Sequence, residues 1–479
     1  MSTQPVKISR GKVPLGQKAA FGAGHLVNNL IPGILGVFVV ILKSADGFGM
    51  DTVLAGLIVG IPRLFDAITD PVMGYISDNT SSKYGRRRPY IFLGAILSGL
   101  IFIVLWQVHD TSSEMYNFWY LLIFSILLIF GNTIFSTPLI ALGYEMTSDY
   151  NERTRLMSFA NTIGQFAWML VPFLYVLIPD TDIFVTQPEG VRQVALYAGV
   201  IIIVLGVLPA IFNRGIDDSK MEGREEISIK TIFQSMGKIF KGIKIVLKNK
   251  PFVKLCIATF LVFNGFQIVA EFSVFIINFY MFDGDWGASK WWIALFPAVT
   301  AAYTAFIAIP IINYMANKMG KRKAFILATG ISVIGYILKW WGFDPDNYYM
   351  IFLPIPLMAF GMGCLFTLMM SMTADVCDLD ELENGMPRKE GTFGAIYWWM
   401  IKVGQGIALV FSGVILKLLG YDPTATTQTA EALQGMRITD IVLPAITALG
   451  AIWIMWNYSL SEDRAKKIKE ELIERRGEL

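Results

Sequence analysis

The chain has 479 residues, of which 54% are hydrophobic and only 16% are charged, and its formal net charge is +2. Soluble domains carry about 25% charged residues, so the composition excludes an ordinary soluble protein. The small net charge gives no basis for nucleic acid as a partner. Three scattered cysteines without a CxxC spacing and two histidines exclude a disulfide framework and a metal cluster.

Twelve apolar segments follow along the chain, each long enough to span a bilayer as a helix of about 20 residues. They lie at 18–43, 51–77, 89–107, 117–146, 156–178, 192–213, 252–282, 290–316, 323–342, 348–374, 391–420 and 435–459. The fold class predicted is an all-α membrane protein with twelve transmembrane helices.

One long polar connection, 214–251, divides the spans into an N-terminal half, 1–213, and a C-terminal half with its tail, 252–479. Apolar residues recur at helical spacing among lysines in the second part of this connection, which predicts an interfacial helix. Contact with membrane lipid and a regulatory or partner-binding role both remain open for it.

The basic residues are distributed unequally between the two sets of loops. If the N-terminus is cytoplasmic, 32 of the 40 Lys and Arg residues lie on the cytoplasmic side and about five, among them Lys339, on the other. Lys and Arg are retained on the cytoplasmic side. We therefore expect a multi-pass protein of the plasma (inner) membrane with both termini cytoplasmic.

The two halves repeat weakly. Gly85 and three arginines follow span 2, and Gly320 and a Lys-Arg-Lys triplet follow span 8, the equivalent span of the second half. Paired six-helix halves are the architecture of major facilitator carriers, which bind substrate near the middle of the membrane between the halves. The repeat predicts that fold.

Span 2 carries three ionisable residues at bilayer depth, where each costs about 2.5–3.5 kcal/mol. Asp66 and Asp70 are four residues apart and therefore share one helix face, with Arg63 on the same side. Two adjacent carboxylates can bind Na⁺, or one can hold a proton because like charges raise a pKa. The alternative is a structural Arg63–Asp66 ion pair that only joins helices.

Other polar residues inside the spans are candidates for a substrate cavity. Aromatic rings beside amides and a cation suit a sugar, whereas the same side chains can simply hold helices together. The candidates are His25, Asn28, Asn132, Ser136, Asn161, Gln165, Trp168, Asn264, Gln267, Glu271, Trp398 and Lys402.

Three collinear stretches resemble one family of carriers. They are RLFDAITDPVMGYISDNTSSKYGRRRPYI at 63–91, YEMTSDYNERTRL at 144–156, and ADVCDLDELENG with RKEGTFGAIYWWMIKVG within 374–404. The chain is similar over most of its length to the glycoside–pentoside–hexuronide:cation symporters, the melibiose-carrier branch of the major facilitator superfamily.

The resemblance implies roles for particular residues. Asp66 and Asp70 would bind the coupling cation, and Lys402 would lie in the central cavity beside them. The gate and cytoplasmic loops would contain Arg63, Arg86, Arg87, Arg88, Glu145, Arg153, Asp375, Asp378 and Arg388.

The chain also departs from the melibiose carriers. Ser136, Gly24 and Asn161 stand where those carriers have two acidic residues and an arginine. Because the coupling pair is kept and the galactoside-binding residues are not, the sequence predicts neither the sugar nor the choice between Na⁺ and H⁺.

The function expected is cation-coupled symport of a sugar or glycoside by alternating access, in a monomer whose only cofactor is Na⁺ or H⁺. The alternatives are transport of an amphiphile such as a lysolipid, or of an organic anion such as a hexuronide or sulfosugar. A membrane enzyme would need a nucleophile or metal set, and the sequence has no evident one. A sensor would usually add a soluble signalling domain.

Overall fold

The computed structural model describes residues 12–147, 150–213, 227–228, 230–231, 237, 247–384, 390–460 and 462–476. Within these ranges the chain has no strand, and 12 helices are long and apolar enough to cross a membrane. They are α1 Leu15–Leu42, α2 Thr52–Asn79, α3 Arg88–Leu105, α4 Glu114–Glu145, α5 Arg155–Leu177, α6 Gln187–Phe212, α7 Lys250–Met281, α8 Trp286–Met319, α9 Lys321–Gly342, α10 Tyr348–Asn384, α11 Ile396–Leu418 and α12 Ala430–Trp456. The prediction of twelve transmembrane helices is confirmed. The interfacial helix predicted in 214–251 lies largely outside the described residues.

Two of these helices contain π-helical segments. α7 is regular over Lys250–Val269, is interrupted at residues 270–271, and continues as one α-helical turn, Phe272–Phe275, and a π-helical segment, Ile276–Met281. α8 contains a π-helical segment at Thr304–Ala308. π-helical turns occur often at functional sites, and nothing in the hydropathy pattern indicated these two.

The chain forms two compact units. Unit 1 comprises Met1–Met50 and Leu57–Gly237, and unit 2 comprises Asp51–Gly56 and Lys238–Leu479. In unit 1, α3 packs on α4 and α6, and α1 packs on α5 and α6. In unit 2, α9 packs on α10 and α12, and α7 packs on α11 and α12. Each pair in unit 2 is a pair of unit 1 shifted by six helices, as the paired halves of this fold require.

Polar contacts explain why the first turn of α2 belongs to unit 2. The Thr52 hydroxyl donates to the carbonyl of Gly413 at 2.7 Å, and Lys417 Nζ lies 2.5 Å from Asp51 Oδ2. Burial alone would raise the pKa of Asp51, but hydrogen bonds from Lys417 and from the Leu54 and Val53 amides outweigh it and lower the pKa. Asp51 therefore stays ionised and paired with α11.

Glycines allow equivalent helices in the two units to approach backbone to backbone. A Cβ on Gly94 of α3 would lie 2.4 Å from the Phe135 nitrogen of α4, and one on Gly335 of α9 would lie 2.3 Å from the Met358 nitrogen of α10. Small residues permit such approaches in membrane bundles. The register of α3 on α4, and of α9 on α10, is set at these two points.

We expect Gly335→Ala to destabilise the protein by about 1–3 kcal/mol, because the new methyl group must displace backbone rather than a flexible side chain. Gly330→Ala is the matched control on the same helix, since a Cβ there would meet nothing within 4 Å. Thermal unfolding in detergent should show a lower midpoint for Gly335→Ala alone. Equal midpoints for the two variants would contradict the close contact.

A further helix, α13 (Glu462–Arg476), follows the last span. Its Ile468 and Leu472 are buried in the cluster that includes Leu379 of α10. The sequence suggested only a charged tail and ended span 10 at residue 374, whereas α10 continues to Asn384. The polar end of α10 stays helical because α13 covers its apolar side.

Candidate functional site

α2 presents the two predicted coupling carboxylates one turn apart. Asp66 is only 1% exposed, and Asp70 is half-buried. The Nη1 atom of Arg63, one turn earlier, lies 3.4 Å from Oδ2 of Asp66. The ion pair considered as the structural alternative is therefore formed, but through only one of the two carboxylate oxygens of Asp66.

Two threonines of α4 contact the same carboxylates. The Thr133 hydroxyl donates to Asp66 Oδ1 at 3.1 Å, and the Thr137 hydroxyl donates to Asp70 Oδ1 at 3.2 Å. The two aspartates are four residues apart on α2, and the two threonines are four residues apart on α4. The two helices therefore run in the same direction, and successive turns of α2 contact successive turns of α4. Thr69 adds a third hydroxyl 3.2 Å from Thr133 Oγ1.

The contact between α2 and α4 brings several carboxylate and hydroxyl oxygens close together within two membrane-spanning helices. Carboxylate, hydroxyl and carbonyl oxygens are the ligands preferred by hard cations, and a threonine hydroxyl can accept as well as donate. The Asp66–Thr133 and Asp70–Thr137 pairs are therefore the candidate site for the coupling cation.

A second polar group in unit 1 joins α1 to α5. Trp168 Nε1 donates to the Asn29 side-chain oxygen at 3.3 Å, and the Asn29 amide donates to the His25 carbonyl at 3.2 Å. The His25 ring is buried edge-on against Phe21 with 4.7 Å between centroids. Its Nε2 atom has no hydrogen-bond partner within the described ranges.

The other candidates of unit 1 divide by exposure. Asn28 is half-buried, Asn132 and Ser136 are buried in α4, and Asn161, Gln165 and Trp168 are exposed on one face of α5. Amide side chains within a membrane span rarely face lipid. The exposed face of α5 is therefore suited to line a water-filled space.

In unit 2, two polar residues of α7, Asn264 and Glu271, contact α11. The Ser412 hydroxyl donates to Glu271 Oε2 at 3.4 Å, and Glu271 is 8% exposed. Asn264 packs against Gly404, where a Cβ would lie 2.5 Å from its amide nitrogen. These two contacts define the register of α7 on α11.

That register separates Lys402 from Glu271. Lys402 lies near the level of Asn264, whereas Glu271 lies near Ser412, ten residues or about 15 Å farther along α11. Gln267 and Lys402 are half-buried and Trp398 is 42% exposed.

The loop after α2 forms an ion-pair network in unit 1. Arg86 Nη2 and Arg87 Nε lie 2.6 and 3.1 Å from Glu145 Oε1, at the end of α4. Arg87 also pairs with Asp78. Arg88 donates to the Ile211 carbonyl in the last turn of α6 at 3.2 Å, where the helix dipole favours a cation.

The junction of α8 and α9 repeats this network in unit 2, with Lys321 and Arg322 in the first turn of α9. Lys321 Nζ lies 2.5 Å from Asp375 Oδ2 of α10, and Arg322 donates to the Tyr458 carbonyl beyond α12 at 3.2 Å. The preceding glycines, Gly85 and Gly320, have φ of 87° and 85°, a backbone conformation that glycine adopts readily.

The remaining gate candidates are less completely described. Asp378 is buried near the end of α10, 7% exposed. The side chain of Arg153 and the whole of Arg388 lie outside the described residues.

Sequence analysis missed Thr133 and Thr137. It selected Asn132 and Ser136, each one residue earlier on α4; Ser136 stands where the melibiose carriers have an acidic residue. The available signal was the spacing: two hydroxyl residues four apart on α4 match two carboxylates four apart on α2. That signal becomes specific only when the two helices are known to be neighbours.

Comparison with known proteins matches residues 21–462 to the family model described as MFS/sugar transport protein. The symporter YnaJ of Bacillus subtilis is 25% identical over 97% of this chain and 96% of its own length. The isoprimeverose transporter of Lactiplantibacillus pentosus is 22% identical over 93% of this chain and 89% of its own. The sodium-dependent lysophosphatidylcholine symporter 1-B of Danio rerio is 23% identical over 89% of this chain and 84% of its own.

Among solved structures, a bacterial homologue of the human lysosomal transporter Spinster superposes with a TM-score of 0.65 at 13% identity. The match covers 95% of this chain and 99% of that one. This likeness concerns the fold alone, and it confirms the predicted fold class.

Proposed function

Because the chain belongs to the MFS/sugar transport protein family, we propose that it is a secondary active transporter that couples Na⁺ or H⁺ entry to symport of a sugar or glycoside. The observation that carries the proposal is the two hydrogen bonds between α2 and α4, Asp66–Thr133 and Asp70–Thr137. Two carboxylates within a span, one buried and one half-buried and each bonded to a hydroxyl, have a use in a carrier that must bind and release a cation.

A sugar or glycoside is the substrate class best supported. The candidate residues include two indoles, Trp168 and Trp398, and several amides, which provide stacking surfaces and hydrogen-bonding groups for hydroxyls. The isoprimeverose transporter among the relatives supports the same class. Lys402 favours a second candidate, an anionic sugar such as a hexuronide or sulfosugar, because an ammonium within a span is stabilised by an anion. The lysophosphatidylcholine symporter supports the amphiphile alternative.

Counterflow into proteoliposomes tests the proposal directly. Purified protein would be assayed with a panel of neutral glycosides, hexuronides, a sulfosugar and a lysolipid, with Na⁺ and pH varied independently. We expect exchange of at least one glycoside or anionic sugar, stimulated by Na⁺ or by low pH. Exchange of the lysolipid alone would select the amphiphile alternative, and exchange unaffected by either cation would contradict coupling.

The proposed orientation places both termini and the loops after α2 and α8 in the cytoplasm, on the basis of the 32 basic residues assigned to that side. Single cysteines at Asp110 and Lys248, both exposed, should react with a membrane-impermeant reagent from opposite sides. The native Cys256, Cys364 and Cys377 are buried, so background labelling should be low. Reaction of the cysteine at Lys248 with the reagent added outside intact cells would contradict the proposed orientation.

A further inference from the structure

The interruption of α7 divides it into two parts, α7a (Lys250–Val269) and α7b (Phe272–Met281). Glu271 stands at the junction, and its carbonyl accepts from Val274 and Phe275 at the start of α7b. Most of α7b is π-helical. A helix with an interrupted hydrogen-bond ladder does not by itself define the direction of its second part, so tertiary contacts must do so.

The first contact involves a buried ion pair. Lys339 Nζ lies 2.6 Å from Asp440 Oδ2, and the side chains are 3% and 1% exposed. Lys339 also donates to the Ser273 hydroxyl of α7b at 3.1 Å. The sequence places Lys339 near the end of the ninth apolar segment, on the side opposite the cytoplasm, and in the structure it lies within α9, inside unit 2.

The second contact lies seven residues farther along α7b. The guanidinium of Arg437 on α12 lies 3.9 Å from the ring centroid of Tyr280 and 4.4 Å from that of Trp340. Arg437 also donates to the Trp340 carbonyl at 2.9 Å. Both ends of α7b are therefore contacted by the same two helices, through adjacent residues of α9 and two residues on one face of α12. We call this group the α7b clamp: Ser273, Tyr280, Lys339, Trp340, Arg437 and Asp440.

The energetics argue that the clamp has a purpose beyond stability. Burying an ion pair costs desolvation energy that mutual attraction often fails to recover, and apolar replacements are frequently as stable. Such a pair is best explained by the specific arrangement that it imposes, here the placement of α7b against α9 and α12.

We propose that Lys339 and Asp440 are positioning residues that hold α7b so that the carboxylate of Glu271 faces Ser412. The inference rests on the proposed function, and it takes Glu271, one of the predicted substrate-cavity residues, to contact the substrate. Ser273 follows Glu271 by two residues in the same helical turn, so moving its hydroxyl from Lys339 would turn the Glu271 side chain away from α11.

The positioning can be tested without transport. Cysteines at Glu271 and Ser412, in a chain whose three native cysteines are replaced by serine, would be joined by a short bifunctional thiol reagent. We expect cross-linking to slow about tenfold in Lys339→Met/Asp440→Leu, which leaves no unpaired charge, and Lys339→Arg to keep most of the native rate. Unchanged cross-linking in the double variant, on material with a normal unfolding transition, would overturn the proposal.

A double-mutant cycle tests the consequence for substrate. With Glu271 present, Lys339→Met/Asp440→Leu should raise KM about tenfold at nearly constant kcat. In a Glu271→Gln background the same change should have no further effect, because the clamp acts through Glu271. Additive effects on KM would contradict the proposal. If cross-linking slows while KM stays constant, Glu271 does not contact the substrate, and that assignment fails while the positioning role of Lys339 and Asp440 stands.

Discussion

Asp66→Asn and Asp70→Asn are each expected to abolish cation-driven accumulation, with cation affinity reduced about 100-fold or more, since removing one member of a buried charged contact costs about 2–5 kcal/mol. An amide is nearly isosteric with a carboxylate, so the hydrogen bonds with Thr133 and Thr137 have a replacement acceptor and the fold should persist. Only the charge that attracts Na⁺ or H⁺ is lost. Uptake against a gradient and cation-dependent thermal stabilisation in detergent measure the two effects.

Threonine variants refine this experiment. Thr133→Val and Thr137→Val keep the shape and remove one hydroxyl each, and we expect about a tenfold loss of cation affinity, because one neutral ligand contributes about 1–1.5 kcal/mol. Thr367→Val is the matched control, since the Thr367 hydroxyl bonds the Gly363 carbonyl within its own helix. If Asp66→Asn and Asp70→Asn both retained uphill transport, the ion pair of Arg63 with Asp66 would have only a structural role.

Lys402→Ala is expected to eliminate coupled uptake while the protein remains folded, and to raise cation affinity about tenfold. The Lys402 ammonium lies within a span and requires a nearby negative charge, and the bound coupling cation also requires one. If the two compete for the same negative charge, removal of the ammonium favours the cation. Cation-dependent substrate binding, measured in detergent on folded material only, reports the affinity.

The alternative for Lys402 is a purely structural role that ties α11 to a neighbouring helix. Lys402→Ala would then lower the unfolding temperature and the yield but leave cation affinity and the coupling ratio unchanged. Lys402→Arg separates charge from shape, because it keeps the cation on a different head group. Recovery of coupling in Lys402→Arg would support the electrostatic role.

The sequence by itself determined the number and order of the spans, because bilayer thickness and the obligatory pairing of backbone groups make hydropathy a local signal. It also identified the repeat after α2 and α8, and the pair Asp66 and Asp70. Spacing within one helix fixes which face those side chains share, and no knowledge of neighbouring helices is needed.

Only the tertiary structure decided which helices meet, and at which register. The pairing of Thr133 and Thr137 with the carboxylates depends on α4 lying beside α2, a contact between residues more than 60 positions apart in the sequence. The interruption of α7 and the burial of Lys339 against Asp440 depend likewise on packing among α7, α9 and α12. A single lysine near the end of a span is compatible with a loop or with a buried pair, and only the neighbouring helices distinguish the two.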